Sequence, residues 1–505
     1  MRARRLASIA LLPALALVAL SAWMFASPIG AAADDDFHLT STWCAAAWSG
    51  DCDPGATADT RVVPDDLAEI ACFAQHPDAS AACQDALFAS DATVETDRGN
   101  WVGAYPPVYY AVMGVFAGPD IQTSALLMRF VTVLLFLAIT IALVLLLPVA
   151  RRFALLWTWL IGTLPLGIFL IPSNNPSSWS LIGVVSAFFA LHGYYETRGR
   201  VRMALGAIFA VSVVMAAGSR GDAAIYVGFA IVLAAALNFA RTRGYLLLSI
   251  LPAAMGLIAL VFFLTSRQVD SGLGGFGGGG SALPGPGSDG TSAEESLTGF
   301  ALLAYNLLNI PFLWSGVFGT WGLGWLDTSL PWVVPLAAIA VFVSIGFTGL
   351  ARKDLRGLLA VVATVVVLWV LPLYVLQAGG DLVGDEVQPR YLLPLIALLG
   401  ALLVLVPAGR ELHLGRVQAY VIAAALAGVN LIALHMNIRR YVTGIDGASP
   451  NLDAGAEWWW VLPLGPSAVW IVGSLAYAAL VFALVPRLAA GRAISGSVPT
   501  RAEAA

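Results

Sequence analysis

Apolar runs long enough to cross a bilayer, which takes about 20 residues at roughly 1.5 Å rise each, recur along the whole chain. The first covers about Leu6 to Ile29, behind Met-Arg-Ala-Arg-Arg. Others lie at about 122–149, 153–171, 178–195, 203–218, 223–240 and 245–265, and again at 330–350, 357–377, 390–408, 417–435 and 464–486. The stretch 298–318 is apolar but broken by Asn306, Asn309 and Pro311. A crossing there would invert every later loop, so it reads as a re-entrant or interfacial helix pair. Val108–Ala117 is too short to cross and reads as a surface helix. The pattern predicts an all-α fold, a polytopic transmembrane helical bundle of about 12 spans.

On this reading the chain divides into a first transmembrane anchor (1–30), an outer loop with a juxtamembrane helix (31–118), and spans two to seven (119–270). A glycine-rich outer loop with interfacial helices (271–329), spans eight to twelve (330–486) and a cytoplasmic tail (487–505) follow. The glycine-rich part, Ser271 to Gly290, has neither a preceding strand nor a following helix start, and so reads as linker rather than phosphate cradle.

Composition agrees. Apolar residues make up 59% of the chain, charged residues 11%, and the mean hydropathy is +0.83, an excess that a soluble globule cannot bury. Charge then orients the bundle. Of 26 basic residues, 18 fall on one side, seven on the other and Arg129 within a span, whereas the 31 acids divide 4 against 27. The basic side is cytoplasmic by the positive-inside rule. Both termini are then cytoplasmic and the acidic loops face outward. No basic patch faces a soluble domain, which argues against nucleic acid as a partner. One lysine against 25 arginines, with abundant alanine, suggests a GC-rich bacterial genome and a bacterial cell membrane.

Four cysteines, Cys44, Cys52, Cys72 and Cys83, all lie in the first outer loop. An even count confined to one outer segment predicts two disulfides in an oxidising compartment, with three pairings open. Their spacing lacks the Cys-x-x-Cys unit of a zinc site. Ala31-Ala32-Ala33 has the look of a leader-cleavage site, but the preceding apolar run is longer than that of a cleaved leader, so the first span is read as a retained anchor.

Candidate chemistry gathers at the outer span ends. Asp34-Asp35-Asp36-Phe37-His38 directly follows the first span. Alone it could be a solvated acidic cap. At the mouth of a membrane bundle, Asp34, Asp35 and His38 can take a proton from a hydroxyl, and Asp35 could hold a divalent cation. Tyr105-Pro106-Pro107-Val108-Tyr109-Tyr110 forces an extended approach to the short surface helix. Gln388-Pro389-Arg390-Tyr391 heads a span with an outer arginine, against the charge bias and suited to a lipid phosphate. Arg220, next to Asp222, and Arg267 sit at two further outer junctions, and Asp327 closes a Trp-Gly-Leu-Gly-Trp-Leu-Asp block before another span. Trp458-Trp459-Trp460 reads as interfacial belt, and Asn174-Asn175-Pro176 as a turn opening a helix.

Together the acidic cluster ending in His38, the Tyr-Pro-Pro-x-Tyr-Tyr block, the Gly-x-Gly-Trp-Leu-Asp block and Gln-x-Arg-Tyr-x-x-Pro-Leu resemble a bacterial domain-of-unknown-function family of polytopic membrane proteins, grouped with the GT-C glycosyltransferases. The resemblance runs from about residue 30 to residue 480. Asp34 and Asp35 match the acids and His38 the imidazole of the family's Asp-Glu-Pro-Ala-His motif, while Asp36 and Phe37 replace Pro-Ala and Pro389 replaces a glycine.

The resemblance implies a GT-C-like bundle and inverting transfer of a sugar from a polyprenyl-phosphate donor to a cell-wall or surface glycan acceptor, at the outer face. Asp34 or Asp35 would be the base or a metal ligand. Arg390, Arg220 and Arg267 would meet the phosphate, and Tyr105, Tyr109, Gln388, Tyr391 and Asp327 would line the substrate site. A lipid-linked polysaccharide polymerase, a transporter or flippase, and a catalytically dead scaffold are the competing readings. Arg129 as the one strongly ionisable group inside a span speaks against proton coupling.

Overall fold

A computed structural model describes residues 2–46, 52–268, 297–407, 412, 414–447, 449–461 and 463–491. The glycine-rich stretch at 271–290 and most of the tail lie outside them. The described residues are mostly helical, and seven helices are long and apolar enough to cross a membrane, with three shorter apolar helices beside them. The chain is a polytopic helical membrane protein.

The first helix, α1 (Arg2–Phe25), stops short of the Ile29 expected from hydropathy, because Ser27, Pro28 and Gly30 interrupt it. The chain then runs on without regular structure to α2 (Asp35–Ala45). Cys44 is bonded to Cys52 and Cys72 to Cys83, which settles the pairing. The same loop holds a departure from the all-α expectation, a three-stranded antiparallel sheet of β1 (Asp53–Pro54), β2 (Arg61–Pro64) and β3 (Thr93–Thr96), with Arg61 opposite Thr96 and Val63 opposite Val94. Strands of two to four residues carry too little alternation to be read from sequence, and the neighbouring crosslinks hold what so short a sheet could not hold alone. Two short helices, α3 (Asp65–Ala68) and α4 (Gln84–Phe88), complete the loop, and α5 (Val108–Met113) is the short helix expected after the paired prolines.

The bundle continues with α6 (Ile121–Leu146), α7 (Val149–Gly162), α8 (Leu166–Leu170), α9 (Ser177–Glu196), α10 (Gly199–Ala217) and α11 (Gly221–Leu237). The single run expected at 153–171 is broken into α7 and α8 at Pro165, whose ring and missing N–H end the helix. After α12 (Arg243–Leu248) and α13 (Ile250–Thr265), the described chain resumes with α14 (Gly299–Gly316), α15 (Val333–Leu350), α16 (Leu355–Gly379), α17 (Pro389–Val404), α18 (Arg416–Val442) and α19 (Pro466–Ala489).

Close helix approach is made by glycine where a side chain would collide. A Cβ at Gly183 would come within 2.6 Å of the Ser212 carbonyl where α9 meets α10, and one at Gly473 within 2.3 Å of Ala22 where α19 meets α1. Polar contacts tie each end of the bundle. At one end Arg151 pairs with Glu196 at 2.7 Å and donates to the Val406 carbonyl at 3.0 Å, Lys353 donates to the Leu402 and Leu405 carbonyls, and Arg356 donates to that of Phe239. The other end holds Asp34 and everything described below. Both ends of α14 lie toward it, since Gly299 accepts from Gln377 and Gly316 packs on Pro389, where a helix running through the bundle would put one end beside Arg356.

Candidate functional site

The chain reaches the acidic motif through a tight bend. Asp34 has φ of 65°, in the left-handed region that Asp and Asn tolerate better than other side chains. This bend separates the three acids into three environments. Asp34 keeps 28% of its side chain exposed, pairs with Arg390, and pairs with Arg98 at 3.3 Å. Burial alone would raise its pKa, but Arg390, His38 and Arg98 outweigh that and hold it down at about 2. Asp35 is fully buried and accepts from the Ala32 amide at 3.2 Å and from Asn175 Nδ2 at 3.4 Å. There burial dominates and pushes its pKa up to about 7, against the opposing pull of Arg129. Asp36 takes a fork from Arg98, at 2.5 Å from Nε and 2.9 Å from Nη2.

His38 is buried, with Nδ1 at 2.9 Å from the Tyr110 hydroxyl and its ring edge-on to Tyr105 at 5.1 Å. Its Nε2 has no partner among the described residues. Burial lowers its pKa well below the usual histidine range despite Asp34, so the ring is neutral near pH 7.

Arg390 opens α17, three and a half hundred residues downstream. Only 5% of its side chain is exposed, and it donates to the Ala33 carbonyl, to Asp34 and, at 3.3 Å, to the Tyr391 hydroxyl. Its guanidinium carbon lies 5.2 Å from the Tyr391 ring centre, and that of Arg220 lies 4.7 Å from the same ring. Arg220 forks onto Asp222 at 2.9 Å through two nitrogens and also faces Tyr105 at 5.5 Å. Tyr105, Arg220, Arg267 and Tyr391 line a groove of about 740 Å³. Asp222 and Gln268 line the groove with them, and the rest of its walls are mostly apolar, with Phe263 of α13 and Val370 of α16 among them. The arrangement joins an apolar channel between helices to a cationic, aromatic head and, behind Tyr391, to a carboxylate.

A family model described as "Predicted membrane protein (DUF2142)" matches residues 17–399. The chain belongs to that family. The matched stretch contains the acidic motif, the groove arginines and Arg390, and ends before α18. No curated protein matches the chain.

Of the residues singled out in the sequence, Asp34, His38, Tyr105, Arg220, Arg390 and Tyr391 come together, and Arg267 joins them across the groove. Asp35 sits behind them with no surface. Tyr109 is buried against Tyr110 and Trp179, and Gln388 lies at the head of α17, buried. Asp327 is elsewhere, in a buried pair with Arg440 at 2.7 Å that also takes the Gln75 amide. Trp460 is a packing residue that donates to the Phe25 carbonyl at 2.8 Å. Among the described residues no group of three or more His, Cys, Asp or Glu is placed to hold a metal ion. Arg98 and Arg129 were missed as site residues. Arg98 carries no signal in the sequence beyond being one of seven basic residues on the acidic side, and the signal of Arg129, a charge inside an apolar run, points to a partner without naming it.

Proposed function

We propose that this protein is a GT-C-type inverting glycosyltransferase, taking a sugar from a polyprenyl-phosphate donor and passing it to a cell-envelope glycan acceptor on the outer face of a bacterial membrane. The bundle would cross twelve times with both termini in the cytoplasm, placing Asp34 outside. The observation that carries the reading is the ion pair of Asp34 with Arg390, whose guanidinium faces Tyr391 at the head of an apolar groove. A lipid carrier needs an apolar channel, its phosphate needs cations, and the acceptor needs a partly exposed carboxylate. All three adjoin here.

In this mechanism the lipid tail lies in the groove and the phosphate meets Arg267 and Arg220, with Arg390 behind them. The acceptor hydroxyl attacks the anomeric carbon from the face opposite the phosphate. Its oxygen forms the new glycosidic bond, the bond from that carbon to the phosphate oxygen breaks, and the electron pair leaves with the polyprenyl phosphate. The hydroxyl proton goes to Asp34. With Arg390 and Arg98 both on it, Asp34 is a weak base. As charge builds on the departing phosphate, Arg390 turns toward it, and Asp34 loses a cation and gains proton affinity in step with the reaction. Neutral His38 packs beside Tyr105 and fixes the ring that Arg220 faces.

A transporter would place its ionisable groups near the membrane midplane, whereas Asp34, Arg98, Arg220, Arg267 and Arg390 gather at one end of the bundle. The purified protein in nanodiscs, given labelled polyprenyl-phosphate sugars and envelope glycan fragments, should release polyprenyl phosphate and label the glycan. Donor binding without release, unchanged by acceptor, would identify a scaffold and end the transferase reading.

A further inference from the structure

Between the end of α1 and the start of α2 the chain has no regular backbone partner, yet it is buried: Ala26, Ile29, Ala31, Ala32 and Ala33 are all at most 2% exposed. Ten consecutive carbonyls in such a place need donors. The structure supplies every one, nearly all from side chains of distant elements. Arg129 alone takes three, Met24 at 3.1 Å, Ser27 at 2.8 Å and Pro28 at 2.6 Å. Trp460 takes Phe25, Asn437 takes Ala26, Gln84 takes Ile29, Trp325 takes Gly30 and Tyr441 takes Ala31. The Asp35 amide returns to Ala32 at 3.0 Å. Ala33, the last residue before Asp34, is shared by Asn175 Nδ2 at 2.9 Å and Arg390.

Within this set, Arg129 and the Asn174-Asn175 turn form one unit. Asn174 Oδ1 accepts from Arg129 Nε at 2.7 Å, and Asn174 Nδ2 anchors on the Ala125 carbonyl at 3.0 Å. Asn175 faces both the Ala33 carbonyl and the Asp35 carboxylate, while its own Oδ1 takes the Ser177 amide at the start of α9. The guanidinium fork fixes the lower half of the segment and the asparagine its upper end, one residue from the carboxylate that meets Arg390.

We propose that Arg129, Asn174 and Asn175 are positioning residues, which lock the segment from Met24 to Ala33 so that Asp34 is held in register with Arg390. An arginine placed inside an apolar helix is costly, and here three of its hydrogen bonds go to an irregular segment and a fourth to Asn174, rather than to a transported ion. The bearing on transfer rests on the transferase reading above; the locking itself does not.

The test uses the full-length protein with Asn175→Ala and, separately, Arg129→Lys, which keeps the charge and loses the fork. Amide hydrogen exchange over 24–38 should quicken about tenfold or more in both, since each removes hydrogen bonds to buried groups, while exchange in α10 and α13 stays as in the wild type. In the transfer assay kcat should fall on the order of tenfold to a hundredfold with the KM for donor within about twofold, the mark of a displaced group rather than a lost binding contact. Exchange that quickens evenly along the chain, or stays unchanged over 24–38, overturns the positioning role. So does a local quickening with kcat untouched. Full transfer by Asp34→Asn would instead overturn the transferase reading, and exchange would still decide whether these residues lock the segment.

Discussion

Two arginines at span ends, each paired with an acid from a distant loop, look alike in the sequence and differ in the folded protein. Arg440 and Asp327 are sealed, 0% and 6% exposed, and Arg440 also donates to the Phe73 and Ala79 carbonyls of the disulfide loop. Arg390 is nearly as deeply set, but its partner Asp34 is 28% exposed and shared with the half-exposed Arg98, and the next residue, Tyr391, lines a groove together with Tyr105, Arg220 and Arg267. The first pair pins a loop to α18. The second leaves one face of a carboxylate open near a largely apolar groove. Exposure and the neighbouring cavity, not the ion pair, separate a staple from a site.

The sharpest way to break this contrast is to remove one partner from each pair. Asp327→Asn or Arg440→Met leaves a charge or its desolvated partner buried, a loss of about 3–5 kcal/mol, so the yield of folded protein in detergent and its melting temperature should both drop heavily. Asp34→Asn should lower the melting temperature much less than either of these and reduce transfer by about 10²–10⁴. Asn is the right probe, because it tolerates the left-handed bend that Asp34 occupies, whereas alanine would add backbone strain.

The groove gives the next effect in size. Val370→Trp narrows it and Arg267→Ala removes a cation at its head, and each should raise the KM for a lipid-linked donor about tenfold, close to 1.4 kcal/mol, with kcat less affected. The smallest effect is in pH. Asp34 has its pKa lowered in the folded protein to about 2, so the stability it contributes is complete above the unfolded value of 3.8 and is lost as pH falls through about 2. The difference in melting temperature between wild type and Asp34→Asn should shrink over that window. A difference that persists undiminished to pH 2 would mean that it does not come from the ionised carboxylate.

Much of the bundle could be read from the sequence because a bilayer demands long apolar runs, and the helices fall within a few residues of them. The exceptions have local causes: Ser27 and Pro28 after α1, Pro165 between α7 and α8, and strands too short to show a period. That an acid of the Asp34–Asp36 run lies near Arg390 is legible through motif resemblance and the rarity of basic residues on the acidic side, but the choice between Asp34 and Asp35 is not, because it depends on the backbone bend at Asp34. Asp327 looked equally eligible, since an acid before a span carries no mark of which arginine it will meet. The roles of Arg98, Arg129 and Asn175 depend on which carbonyls and carboxylates fold against them, and no spacing along the chain records that.

The most direct measurement compares Asp34→Asn and Asp327→Asn in the same transfer assay, with rates expressed per folded molecule. The account predicts that Asp34→Asn folds and fails to transfer, while whatever fraction of Asp327→Asn does fold transfers at the wild-type rate. Equal rates for the two variants, or full activity in Asp34→Asn, would contradict it.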